Sequence, residues 1–178
     1  MNPSPTHPLV AFYRDGAPDD AGRTLASILA WDDGRLEAVH DFIQWLFPLP
    51  ERSGANPSAP ILDDATVAAF HATPVMRDRL RAALDRMLCF YGLAWDRAAT
   101  EPTLLLASNF PQRATNWLSL MNHNHLRLTR ILRSTRLLGL AAESSALFAA
   151  LDAIYQEFPD RITPRTFAYW VAAAEAVA

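Results

Sequence analysis

Proline sets the limits on what this chain can fold into. Thirteen prolines punctuate apolar stretches of helical periodicity, and a proline inside a helix removes a backbone hydrogen bond and clashes with the preceding turn. Each apolar stretch is therefore expected to be its own helix, entered or left through a proline-rich connection. No segment alternates convincingly with period two, so a strand has no clear place. The expected fold is all-α: a single-domain orthogonal bundle of about six or seven helices with proline-rich connections.

Residues 1–22 carry Pro3, Pro5, Pro8 and Pro18 with Gly16 and Gly22, a breaker density that predicts an irregular N-terminal arm lying on a helical domain over 23–178. Asp32-Asp33 can cap a helix reading Leu36, Val39, His40, Ile43, Leu46 and Phe47, ended by Pro48 and Pro50. After a loop to Asp64, a short helix runs through Val67 and Phe70. Thr73-Pro74 then opens the clearest helix, with a capping hydroxyl before a proline whose missing N–H costs nothing at the first turn. Its buried face is Met76, Leu80, Ala83, Leu84, Met87 and Tyr91, and Gly92 stops it. Pro111 opens the next helix through Trp117, the run Asn122-His123-Asn124-His125 marks a break, and a further helix ends at Gly139. Residues 143–158 form another, and Thr163-Pro164 repeats the start signal for the last.

With 178 residues, 51% of them hydrophobic, the chain can bury a core without staples. Cys89 is the only cysteine, which excludes an internal disulfide framework and suits a reducing, cytoplasmic compartment. No stretch approaches the roughly 18 uninterrupted apolar residues of a membrane helix, and residues 1–10 lack the features of a secretory leader. Every one of the 16 basic residues is arginine; with the abundant alanine this points to a GC-rich bacterial genome rather than to function. The net charge of −3 conceals segregation: residues 1–64 hold ten acids against four arginines, whereas residues 102–142 hold Arg113, Arg127, Arg130, Arg133 and Arg136 and no acid.

Catalytic apparatus is not visible. His123 and His125, two apart, point roughly 200° apart around a helix and cannot share a face as metal ligands. There is no HExxH, no GxSxG and no phosphate-binding glycine loop, so neither a catalytic residue nor a metal or other cofactor is assigned. His40 falls on the stripe of Leu36, Ile43 and Phe47, where a buried, hydrogen-bonded role is expected, and Trp45 suits packing beneath the proline loop. On the helix from His123, the apolar face Leu128, Ile131, Leu132, Thr135 and Leu138 is opposed by Leu126 and Leu137, so two sides should be buried. Arg127 and Arg130 must then find acceptors, Asp41 being one candidate and an anionic ligand another.

Two segments carry a resemblance. The run His40-Asp41-Phe42-Ile43-Gln44-Trp45-Leu46-Phe47-Pro48, followed by Asn56, Ala59 and Leu62, and the later His123-Asn124 with Leu126-Arg127-Leu128-Thr129-Arg130-Ile131-Leu132, resemble the signature of the opioid growth factor receptor conserved region. The likeness runs from about Asp33 to Gly139, with Phe90-Tyr91-Gly92 in character between. It implies a receptor-like module for an enkephalin-type opioid peptide, and His40, Gln44, Trp45, His123, Asn124, Arg127 and Arg130 are the positions that match the family's pattern. The length beyond the core and the composition suggest a stand-alone bacterial member.

The leading expectation is a non-enzymatic module that binds a small peptide or other anionic small molecule through those seven residues. A histidine-dependent enzyme or metalloprotein using His40 and His123 is the alternative from another class. A nucleic-acid binder using Arg127, Arg130, Arg133 and Arg136 is a third, disfavoured by the negative net charge and the angular spread of those arginines.

Overall fold

The proline and glycine punctuation is obeyed by most of the helices in a computed structural model, which describes residues 6–176. The chain divides into two compact units, residues 1–83 and 84–178, and ten α-helices form among the described residues.

The first unit starts with α1 (Pro8–Val10), which continues as a π-helical turn, Ala11–Asp15, ended by Gly16 at φ 76°. This corrects the expectation of an irregular arm: Leu9, Val10, Phe12 and Tyr13 are buried, and that apolar cluster outweighs the flanking breakers. Pro3 and Pro5 lie outside the described residues. Then come α2 (Leu25–Leu29), capped by Thr24, and α3 (Asp33–Ala38), where Asp32 accepts from the Arg35 N–H at 2.7 Å.

A single helix through Phe47 does not form. Val39 is extended at φ −96°, ψ 132°, and α4 (Ile43–Leu46) is a separate turn. All residues from Phe42 to Pro48 are buried, more than one stripe of a long helix can cover, and a short turn enclosed on all sides is the solution. Tyr13 Oη donates to the Leu46 carbonyl, and the Phe12 and Trp45 rings meet at 5.4 Å. Next is α5 (Asp64–Ala72), capped by Asp63, whose carboxylate accepts from the Thr66 N–H at 2.8 Å. The nearby Thr66 hydroxyl and the Thr66 N–H hold Asp63 below the usual carboxylate range.

Helix α6 (Pro74–Tyr91) begins and ends where the Thr73-Pro74 and Gly92 signals place it, and all six residues of the expected stripe are buried. Its first ten residues belong to the first unit and the remainder to the second.

The second unit keeps the all-α architecture expected of it and adds one small hairpin. Strands β1 (Leu93–Trp95) and β2 (Leu104–Leu106) pair antiparallel, Leu93 opposite Leu106. Three-residue apolar runs are too short to display alternation, so periodicity missed them. Helix α7 (Phe110–Trp117) has Pro111 in its first turn, α8 (His123–Leu137) is capped by Asn122, α9 spans Ala141–Glu157, and α10 (Pro164–Ala174) is capped by Thr163. The core holds edge-on aromatic contacts from Tyr91 and Phe110 to Trp117, and from His125 to both Trp117 and Trp170. Helix α8 packs against α9 and α10. The helix count exceeds six or seven because α1, α2 and α4 are one-turn pieces of three to five residues. Among the described residues no helix is long and apolar enough to cross a membrane.

Candidate functional site

His40, Gln44 and Trp45 belong to the first unit. His40 is exposed on the extended link between α3 and α4, so the buried, stripe-sharing histidine expected above is corrected: the break at Val39 takes it off the helical face. Gln44 and Trp45 are buried and tied into the loop that follows. Gln44 Nε2 donates to Ser53 Oγ at 3.3 Å, and the Trp45 indole N–H donates to Asp20 at 3.0 Å. The second Asp20 oxygen lies 2.7 Å from Ser58 Oγ, and Asn56 Nδ2 donates to the Asp41 carbonyl at 2.9 Å.

Asp41, the candidate partner for Arg130, accepts from Arg23 Nη1 at 2.7 Å. Arg23 Nε also donates to the fully buried Asp19 carboxylate at 2.7 Å, which takes two backbone N–H bonds as well, from Ala21 and Arg23. The first motif thus acts as a clasp: charge-assisted bonds fasten residues 19–23 to Asp41 and Trp45, and neutral ones fasten the loop 53–58 to Asp41 and Gln44.

His123, Asn124, Arg127 and Arg130 belong to the second unit, and α8 distributes them. Asn124 is fully buried; its Oδ1 accepts from Tyr91 Oη at 3.4 Å and from Arg127 Nη1 at 3.2 Å. Arg127 is buried and Arg130 half-buried. On the other side, the first turn of α8 and the first turn of α10 border a half-open cleft of about 330 Å³. His123 reaches this cleft; Asn124, Arg127 and Arg130 are not among its lining residues.

The rim of the cleft is apolar to a degree that water does not favour. Met121 is 89% exposed, Leu126 66% and Tyr169 44%; a lone exposed apolar side chain is ordinary, but three around one concavity make it the candidate site. Met121 has the only positive φ of any described non-glycine residue, 57°, so the link from α7 to α8 sets that side chain at a backbone cost. The polar lining comprises Asn122, His123, Thr129, Thr163, Thr166 and Arg165, with no acid. Arg165 Nε donates to Tyr169 Oη at 3.0 Å.

His125 also lines the cleft and is 3% exposed. Among the described residues, neither ring nitrogen has a hydrogen-bond partner within bonding geometry. Burial is the chief cause that holds its imidazole below the ordinary histidine range; the Trp117 backbone pulls the other way, and the nearby His123 adds to the depression. Among the described residues, no three His, Cys, Asp or Glu side chains are gathered as a metal-binding group.

Of the site residues that the sequence pointed to, His123 alone lines this cleft; Met121, Thr163, Arg165, Thr166 and Tyr169 were not among them. One signal was present: Leu126 lies off the main stripe of α8, and instead of packing on a second side it opens onto the cleft.

The family model of the opioid growth factor receptor (OGFr) conserved region matches residues 18–175. The chain belongs to this family. The opioid growth factor receptor of Rattus norvegicus is 43% identical over 122 residues, 67% of this chain and 20% of that protein. The Homo sapiens opioid growth factor receptor is 41% identical over 139 residues, 75% of this chain and 20% of that protein. Opioid growth factor receptor-like protein 1 of Rattus norvegicus is 32% identical over 148 residues, 79% of this chain and 30% of that protein. The chain therefore spans about a fifth to a third of the length of these relatives. No solved structure matches it. Within the opioid growth factor receptor conserved region, the clasp at Gln44–Trp45 and the α8–α10 cleft both lie inside the matched segment.

Proposed function

We propose that this chain is a non-enzymatic binding module whose ligand is a short peptide of the opioid type, taken up in the cleft between the first turns of α8 and α10. The observation that carries the reading is the apolar rim of Met121, Leu126 and Tyr169 around a polar, acid-free lining. Such a rim suits an apolar peptide side chain, and the hydroxyls and amide of Thr129, Thr163, Thr166 and Asn122 suit a peptide backbone. The relatives' name, receptor, favours the same class of function. The motif residues Gln44 and Trp45 act on the fold in this account, and His123 is the one expected site residue placed to touch ligand. A lone exposed thiol, Cys89, suits a reducing cytoplasmic compartment.

Calorimetric titration with an enkephalin-type pentapeptide tests the proposal. Saturable binding is expected, weakened about tenfold or more by Leu126→Glu, since a charge on the rim must be desolvated against the peptide. Binding that Leu126→Glu leaves unchanged removes the cleft as its seat.

A further inference from the structure

The cleft joins an apolar rim to a concentration of positive potential, and that pairing says which part of a peptide it would take. Asn122 caps α8 and Thr163 caps α10, and both line the cleft. The positive ends of a fifteen-residue and an eleven-residue helix therefore converge there, each equivalent to about half an elementary charge. Arg165 lines the same space and no acid does.

The backbone leaves donors open as well. The first bond of α10 runs from the Phe167 N–H to the Thr163 carbonyl, and the Thr166 N–H is taken by Thr163 Oγ1. The Arg165 N–H, in the turn before that bond, is one of the donors a helix start cannot satisfy internally. Tyr169 Oη accepts from Arg165 Nε, which leaves the phenol proton to donate. His125, almost wholly buried, lines the cleft with neither ring nitrogen bonded among the described residues.

Resting on the peptide-binding reading above, we infer that the cleft captures a peptide by its free C-terminal carboxylate, seated between the N-termini of α8 and α10 beside Arg165, with the last side chain against Met121, Leu126 and Tyr169. A free α-carboxylate presents an anion and an apolar side chain on adjacent bonds, the spacing this small cleft offers. Carboxylate capture by open backbone N–H groups is an established recognition mode. An acidic side chain within a peptide carries the anion on its own side chain and leaves the rim uncovered.

The test compares one pentapeptide ending in an apolar residue in three forms: free acid, C-terminal amide and N-acetylated free acid. Titration against the full chain should show the amide binding about tenfold or more weakly than the acid, from the combined loss of the helix-end and arginine interactions. The N-acetylated acid should bind like the free acid. Arg165→Gln should bring acid and amide closer together, and added salt should weaken the acid more than the amide. Equal affinity of acid and amide overturns the carboxylate inference and leaves the peptide-binding reading standing; failure of all three forms to bind overturns both.

Discussion

Gly92→Ala measures how closely the second unit is packed around the end of α6. Gly92 has φ 77°, a left-handed conformation in which an L side chain costs about 1 kcal/mol. A Cβ there would stand 2.8 Å from Phe110 Cα and 2.9 Å from Arg113 Cβ. The first neighbour is backbone in the opening turn of α7 and cannot rotate away. The Gly92 carbonyl accepts from the Ala107 N–H at 2.9 Å, so the glycine cannot retreat without losing a hydrogen bond. Overpacking of this kind adds about 1–3 kcal/mol, giving a total of about 2–4 kcal/mol. Gly16 is the internal control: φ is 76°, yet nothing lies within 4 Å of the place a Cβ would take, so Gly16→Ala should cost only the conformational part. Urea unfolding followed by circular dichroism would give both values. If Gly92→Ala costs no more than Gly16→Ala, the close approach of α7 to Gly92 is refuted.

The clasp in the first unit makes an asymmetric prediction. Arg23→Gln leaves the buried Asp19 carboxylate without its cation and should destabilise by about 2–4 kcal/mol, whereas Asp41→Asn, at the half-exposed end, should cost under about 1 kcal/mol; denaturant midpoints decide it, and equal costs contradict the clasp. Trp45→Phe removes the bond to Asp20 and should lower stability by about 1–2 kcal/mol while leaving peptide affinity unchanged in titration. His125 is buried in its neutral form, so the unfolded chain takes up the proton first: its stabilising contribution is complete above the ordinary value of 6.5 and is lost as pH falls from there through the depressed folded value. Thermal melts across this window should show that loss in the wild type, and His125→Phe should flatten it; an unaltered profile refutes the assignment.

Local chemistry made most helix boundaries legible. Thr73-Pro74, Gly92, Pro111, Asn122, Gly139 and Thr163-Pro164 act through caps and fixed dihedrals within a few residues, so their effect survives whatever packs around them. The break at Val39 was not legible, because what holds the link outside a helix lies elsewhere in sequence: Asn56 takes the Asp41 carbonyl and Arg23 its carboxylate. The same rearrangement removed His40 from the core. The hairpin escaped because Leu93-Ala94-Trp95 and Leu104-Leu105-Leu106 are short runs whose pairing, not their pattern, makes them strands. The cleft was legible only in part. Leu126 was visibly out of phase with the α8 stripe, but its neighbours Arg165, Thr166 and Tyr169 reach it through the packing of α10 on α8, a tertiary fact that no local spacing encodes.

Whether peptide is held in the α8–α10 cleft can be read from the backbone amide shifts of the isotopically labelled chain during titration with the free-acid pentapeptide. The largest shifts are expected at Met121, His123, Leu126, Thr129, Arg165, Thr166 and Tyr169. Shifts centred on the Gln44–Trp45 segment, or none at saturating peptide, would contradict binding in the cleft.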